Sequence, residues 1–517
     1  MNVFLLYNNK DFDLQQELLW NSRELKQDLG LQAVFDSMAR GQEFLQEVCP
    51  KVILCKEKPD RETIIYRQEI LKDCITNPEV VMEILKMASE ALEKEKNNYW
   101  GIFRNYPNSV LYRSVEVFEM FTGMLKKLKQ IADDYGTQFK SAGFIRFFGM
   151  VKDELTEDYL DELDQHLAAL RFRDGVLMSA KLGKGNKGTG YVLRKNKPVK
   201  RTWWQRIVRY FWPDISDSGK PGFTKSPDGN VSVYTFFINP RDEAGVRALG
   251  ELKDEGINLV ANSLARSDDH VLNFFKNLRT ELAFYLGCLN LHQTLSTLEE
   301  PVCFPEVVES PQQIHQVNDL YDVCLALNTK KKVAGNDCNA SEKKLVIVTG
   351  ANQGGKSIFL RSVGVAQLML QCGMFVPAFS FRGGLYNSVV THFRREEDSG
   401  MKSGKLDEEL ARMNEIVEKL EPGSLILFNE SFAATNEREG SEIARQIVSA
   451  LIEHHVTVFF VTHLYEFAHT FFNQKQNHSL FLRAERKIDG ARTYKISPGE
   501  PLQTSFGNDL YREVFSE

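Results

Sequence analysis

Eight consecutive residues, Gly350, Ala351, Asn352, Gln353, Gly354, Gly355, Lys356 and Ser357, fit the spacing G-x-x-x-x-G-K-[ST] directly behind the run Lys344 to Thr349. Glycines so spaced let a loop curl until successive backbone N–H groups converge on a phosphate chain. A lysine then reaches the β and γ oxygens, and a serine hydroxyl ligates Mg²⁺. The helical run that starts there adds the positive end of its dipole to the same anion site. The pattern predicts nucleoside triphosphate binding.

Two further groups stand at the ends of apolar runs. Leu425 to Phe428 leads into Asn429 and Glu430. There Glu430 would orient the attacking water as general base, and Asn429 and Glu430 would face a magnesium ion together with Ser357. Val456 to Val461 leads into Thr462 and His463, and His463 is expected to hydrogen-bond the γ-phosphate or the water.

These residues must be held by strands. Leu345 to Thr349, Leu425 to Phe428 and Val456 to Val461 read as buried parallel strands, each followed by a turn and a helix, so the region from about Glu300 onward is expected to be α/β. The first 170 residues read as helices instead. Apolar residues recur at three- and four-residue steps, as in Leu155, Tyr159, Leu163, Leu167 and Leu170, and again through Asp36 to Val48, Arg61 to Cys74 and Glu79 to Lys94. Pro50, Pro59 and Pro78 are the expected punctuation, and helices are expected to return from about Asp242 to Leu298.

Between the helical stretches, Gly175 to Pro213 contains no Asp or Glu. Lys181, Lys184, Lys187, Arg194, Lys195, Lys197, Lys200, Arg201, Arg206 and Arg209 make it basic, and Tyr191, Trp203, Trp204, Tyr210, Phe211 and Trp212 make it aromatic. Such a surface can neutralise phosphates and stack on bases; it can also be a solvated loop. The glycines from Gly183 to Gly190 suggest a hairpin or loop, and Ser226 to Asn239 alternates as a half-exposed strand would. The expected organisation is a helical domain at 1–174, a basic aromatic insertion at 175–240, returning helices at 241–299 and the nucleotide-binding domain at 300–517.

The 517 residues, 43% hydrophobic and 26% charged with a net charge of -6, exclude wholesale disorder, a collagen-like chain and a membrane bundle. No stretch approaches the roughly 18 consecutive apolar residues that span a bilayer, so no transmembrane segment is expected. The residues after Met1 turn polar too soon for a secretory signal, and the cytoplasm is the default address. The eight cysteines are scattered without metal-ligand spacing and read as reduced thiols.

The run Thr349 to Ser357 followed by Gly373-Met-Phe-Val-Pro-Ala378 resembles the ATPase domain of the MutS family of mismatch-repair proteins, a branch of the ABC-type P-loop ATPases. Asn429 to Gly440, Thr462-His463 with Glu466, and Thr504-Ser-Phe-Gly507 are similar to further segments of that domain. Ser37 to Gly41 and Arg61 to Gln68 resemble the start of the family's lever domain. The resemblance implies ATP and Mg²⁺ as cofactors, a homodimer closed through the ATPase domains, and DNA as partner through backbone contacts, with the basic insertion as a clamp. It also implies an adenine-stacking side chain between Phe304 and Tyr321, for which Tyr321 is the candidate, and a contact to the partner's nucleotide from Ser403 or Lys405.

The chain also departs from the family's pattern. It begins almost at the lever, so no mismatch-reading domain and no direct mismatch recognition are expected. Asn429 stands where the family has Asp, which implies slow hydrolysis. The rival expectation is a nucleotide-gated scaffold that scarcely hydrolyses ATP and engages protein, ribosome or membrane surface.

Overall fold

The computed structural model describes residues 1–97, 107–171, 178–182, 188–193, 222–225, 232–235, 243–309, 313–395, 404–487 and 492–503. Residues 1–21 form no helix, although the sequence pattern led us to expect helices from the start. Their backbone donors are taken by side chains. Asp11 Oδ1 accepts from Val3 N and Phe4 N, both at 2.9 Å. The buried Glu281 accepts from Leu5 N at 2.5 Å, Leu6 N at 3.0 Å and Phe12 N at 2.7 Å. A backbone whose N–H groups are already satisfied gains nothing from a helical turn.

The helices α1 (Ser22–Asp28), α2 (Gln32–Ala39), α3 (Glu43–Ile53) and α4 (Arg61–Thr76) follow. The pattern from Asp36 to Val48, read as one helix, is split between α2 and α3. Arg40 and Gly41 adopt φ of 46° and 80°, which ends α2, and Arg40 is fixed there by Asn290 O at 2.9 Å. Pro50 lies inside α3 rather than between helices. Asp60 caps α4 by accepting from Thr63 N at 2.8 Å.

Next come α5 (Pro78–Asn97), α6 (Pro107–Tyr135), α7 (Ala142–Glu154) and α8 (Glu157–Leu170), then strands β1 (Met178–Leu182), β2 (Gly188–Leu193), β3 (Gly222–Lys225) and β4 (Ser232–Thr235), then the 55-residue α9 (Glu243–Thr297). β1 pairs with β2 and β3 with β4, both antiparallel, so strands pair on either side of the tract where a hairpin or loop is expected, and β4 falls within the strand expected at Ser226 to Asn239.

Two compact units divide the chain. One comprises Met87–Gln130 and Asp153–Phe275. Its helices meet through Leu111, Val115, Ile257 and Ala261, the rings of Phe121 and Phe275 stack with centroids 5.6 Å apart, and Arg171 Nε donates to Glu119 at 3.0 Å.

The other unit comprises Met1–Lys86, Ile131–Lys152 and Lys276–Glu517. Beyond α9 its elements run β5 (Glu306–Val308), β6 (His315–Leu320), α10 (Val323–Thr329), β7 (Asn336–Asn339), β8 (Leu345–Gly350), α11 (Lys356–Gln371), β9 (Ser380–Gly384), β10 (Val389–Phe393) and α12 (Lys405–Lys419). They continue through β11 (Leu425–Asn429), α13 (Glu437–Glu453), β12 (Thr457–Val461), α14 (Tyr465–Asn473), β13 (Ser479–Arg486) and β14 (Arg492–Pro498). One sheet has the order β10-β11-β12-β8-β13-β14, parallel except for its last pair. A second has the order β5-β9-β6-β7.

The three strands expected to be parallel are adjacent at the centre of the first sheet. Alternation divides their side chains. Leu345, Ile347, Ile426, Phe428, Val458 and Phe460 share one core with α12, α13 and α14, and the intervening residues face α11. Each fully buried Leu or Phe contributes roughly 2 kcal/mol, which makes this sheet the rigid base of the site. Gly364 lets α11 sit close, since a Cβ there would meet Leu427 Cδ1 at 2.7 Å and Leu29 Cδ2 at 2.8 Å.

Candidate active site

The loop from Gly350 to Gly355 joins the end of β8 to the start of α11. Gly350, Gln353 and Gly355 have φ of 109°, 58° and 89°. Side chains at two of the glycines would collide, Gly350 with Ala484 N at 2.9 Å and Gly354 with Ala351 O at 2.9 Å. The loop therefore needs glycine both for its turn and for the close approach of β13.

Lys356 opens α11 and is 5% exposed. Its Nζ donates to Gly350 O at 3.1 Å and Ala351 O at 3.0 Å. Burial pushes its pKa down from 10.5 to about 8, while the Glu430 carboxylate pulls the other way. The neighbouring Ser357 hydroxyl donates to Asn429 Oδ1 at 2.8 Å. Asn429 ends β11, in register with Phe393 on one side and Val461 on the other.

Glu430 turns out of the strand with φ 54°, and Phe432 follows with φ 61°. Each of these left-handed conformations costs a residue with a Cβ roughly 1 kcal/mol or more. Three bonds hold the turn: Glu430 N to Val461 O at 2.9 Å, Phe432 N to the buried Glu409 at 2.8 Å, and Ser431 Oγ to His392 O at 2.6 Å. Glu430 Oε1 lies 2.9 Å from His463 Nε2. That hydrogen bond, ahead of the opposing effect of burial, keeps the Glu430 carboxyl below its ordinary range; Lys356 and Arg394 add to the lowering. His463 follows β12, where Thr462 N donates to Val348 O at 3.1 Å. Residues far apart in sequence thus converge at the carboxyl ends of β8, β11 and β12, where open α/β sheets take their ligands.

Among the candidates, Gly350 to Ser357, Asn429, Glu430 and His463 belong to this cluster. Tyr321 does not present a face for stacking: it is 1% exposed at the end of β6, so its ring is already covered. The exposed aromatic beside the loop is Tyr494 on β14, whose Cα and Cβ lie 3.6 and 3.7 Å from where a Cβ on Gly355 would be. Its neighbour Arg492 donates from Nε to Asn352 O at 3.2 Å. Sequence reasoning missed both, because the antiparallel pairing that brings β14 to the loop leaves no local signal. A cavity of about 310 Å³ is lined by Arg394, Arg395, Lys405, Glu408, Arg412 and Glu415, among others.

Lys181 lies on β1. The other nine DNA-contact candidates, Lys184, Lys187, Arg194, Lys195, Lys197, Lys200, Arg201, Arg206 and Arg209, lie outside the described residues, as do Ser403 and Thr504 to Gly507. No helix among the described residues is long and apolar enough to cross a membrane.

A helical N-terminal region followed by an α/β sheet domain of ATPase type is the class that this arrangement defines. The family model described as the MutS2 N-terminal domain matches residues 59–298, and that described as MutS domain V matches residues 346–512. The DNA mismatch repair protein MutS of Porphyromonas gingivalis is 31% identical over 179 residues, 34% of this chain and 20% of that protein. Endonuclease MutS2 of Ligilactobacillus salivarius is 30% identical over 233 residues, 43% of this chain and 28% of that protein. The probable DNA mismatch repair protein Msh6 of Drosophila melanogaster is 28% identical over 226 residues, 42% of this chain and 19% of that protein. The chain belongs to the MutS family. Its matches span less than a third of the length of these relatives.

Proposed function

We propose that the chain binds ATP with Mg²⁺ at Gly350 to Ser357, hydrolyses it slowly, and uses that cycle to change its grip on DNA. The observation that carries this reading is the convergence of Lys356, the Ser357–Asn429 hydrogen bond and the Glu430–His463 pair at one sheet edge.

Lys356 has a ready path to phosphate. Its two acceptors are loop carbonyls, so an arriving β- or γ-phosphate competes with neutral partners for a cation, and charge-assisted hydrogen bonds are the stronger. The oxygen donors fit magnesium, which keeps several waters and needs only one or two protein ligands. Ser357 would hold the ion directly, and Asn429 and Glu430 would hold its waters. The ion would supply charge neutralisation of the phosphates. Glu430, ionised and fixed by His463, would orient the water that attacks the γ-phosphorus. Tyr494, rather than Tyr321, offers an exposed ring for the base.

The domain reading proposed from sequence stands beside this: helical levers, a basic clamp at 175–240 and an ATPase domain at 300–517, two copies closing face to face as ABC-type P-loop domains do. Lys405, which lines the cavity with Arg394, Arg395 and Arg412, is our choice for the contact to the partner's nucleotide. DNA contacts by the ten basic residues would be salt-dependent and largely blind to sequence.

Steady-state ATP turnover with and without duplex and branched DNA, repeated for Lys356→Ala and Glu430→Gln, tests the proposal. Turnover is expected to fall in both variants and to respond to DNA; wild-type turnover in Lys356→Ala would overturn it. A second reading, the nucleotide-gated scaffold with little hydrolysis, draws on Asn429, an amide where a carboxylate would grip magnesium more strongly. It predicts ATP binding without measurable turnover or DNA response.

A further inference from the structure

Behind Glu430 the structure holds a buried polar network that the proposed chemistry does not use. His392 on β10 is fully buried. Its ring stacks on Phe432 with centroids 5.3 Å apart and lies 5.6 Å from Phe428. Nδ1 is 2.7 Å from Ser431 Oγ, while Nε2 is 3.0 Å from Glu409 O and 3.4 Å from Arg412 on α12. Ser431 is the residue between the two left-handed positions, Glu430 and Phe432.

We infer that His392 is the positioning residue for Glu430, holding the strained turn through Ser431 and tying its geometry to α12. The inference rests on the ATPase reading of the site.

Hydrogen counting supports it. The imidazole is neutral: burial above all, then the charge of Arg412, pushes its pKa down to about 3. Arg395 acts in the same direction as Arg412, and the Glu409 backbone carbonyl acts against them. One ring nitrogen therefore donates and the other accepts. With the proton on Nε2, the ring donates to Glu409 O, and Nδ1 accepts the Ser431 hydroxyl. With it on Nδ1, the ring donates to Ser431 Oγ, that hydroxyl turns to His392 O, and Nε2 becomes an acceptor for Arg412. Each arrangement leaves one short contact without a hydrogen, Ser431 Oγ to His392 O in the first and Nε2 to Glu409 O in the second, so a shift of Arg412 or of α12 changes which bond grips the turn that carries Glu430. Arg412 also donates to Phe393 O at 2.9 Å and lines the cavity with Arg394, Arg395 and Lys405. The network thus connects the N-terminal half of α12 to the water-orienting carboxylate.

Three variants separate positioning from packing. His392→Asn retains a polar group near Nδ1 and can still bond Ser431, His392→Gln retains one near Nε2, and His392→Phe retains only the ring. We expect kcat to fall on the order of tenfold or more in the Gln and Phe variants, with Asn rescuing much of the loss. ATP affinity should be unchanged in all three. Amide exchange over residues 428–436, followed without nucleotide, should rise in Gln and Phe and stay near wild type in Asn, and Arg412→Ala should add little to His392→Gln. Wild-type kcat and exchange in the Phe variant, or losses in all three that follow only the fall in melting temperature, overturn the inference. Failure of the ATPase reading shows separately, as wild-type protein without Lys356-dependent ATP binding; the exchange measurement then still decides whether His392 holds the turn.

Discussion

Glu430 Oε1 and His463 Nε2 lie 2.9 Å apart, although the two residues follow different strands. Val461 and Asn429 are in register across β11 and β12, and each strand's next polar residues project past the same sheet edge. The pairing fixes the histidine's direction and favours the ionised form of the acid, the form a general base needs.

That relationship has a pH signature. The Glu430 carboxyl is held below its ordinary value of 4.5, first by the His463 hydrogen bond. A depressed carboxylate keeps its charge as pH falls until its own folded pKa is crossed, so the acid limb of the turnover profile should lie below pH 4.5 where the fold survives. In His463→Ala the largest lowering contribution is lost, those of Lys356 and Arg394 remain, and burial still raises the pKa. The acid limb should then move to higher pH. A pH–rate profile of both proteins checks this, and an unmoved limb would remove His463 from its role.

The Ser357–Asn429 bond tests the two functional readings against each other. Asn429→Asp places a carboxylate where Ser357 Oγ lies 2.8 Å away and should strengthen the response of turnover to magnesium by about tenfold. Turnover followed across a magnesium titration measures it. A scaffold without hydrolysis predicts no turnover in either protein.

Lys356 makes a prediction about stability without nucleotide. Its pKa falls to about 8 on folding because the cation is buried. Between about pH 8 and its ordinary 10.5 the unfolded chain binds more protons than the folded one, so stability should rise with pH across that window, by roughly 3 kcal/mol at most. Lys356→Met should lack that rise. Urea unfolding of both proteins at several pH values provides the difference.

Gly440, four residues into α13, passes directly over the strained turn, and a Cβ there would overlap the Phe432 carbonyl oxygen. Gly440→Ala should therefore cost about 1–3 kcal/mol and lower turnover more than nucleotide affinity, because the displaced backbone carries Glu430. Thermal unfolding together with a KM-against-kcat comparison tests this; unchanged kcat in a destabilised protein would uncouple the helix from the site.

The sequence alone determined the loop from Gly350 to Ser357, the three central strands and the polar residues at their ends. Each is written locally: as glycine spacing, as short runs apolar on both faces, and as the switch from apolar to polar at a strand's end. It missed the helix break at Arg40 and Gly41 and the non-helical segment before Ser22, where distant groups such as the Asn290 carbonyl and the Glu281 carboxyl supply the partners that overrule local pattern. Tyr321 followed from its place in the chain; its burial came from tertiary packing, and the position of Tyr494 beside Gly355 came from the pairing of β13 with β8, segments more than a hundred residues apart. The tertiary structure also placed His392 behind Glu430. A histidine inside an apolar strand carries no sequence signal, and its partners come from the turn after β11 and from the packing of α12 against β10. Chemistry confined to one loop is legible in order along the chain, whereas chemistry that spans strands is fixed by register and by which buried polar groups must satisfy one another.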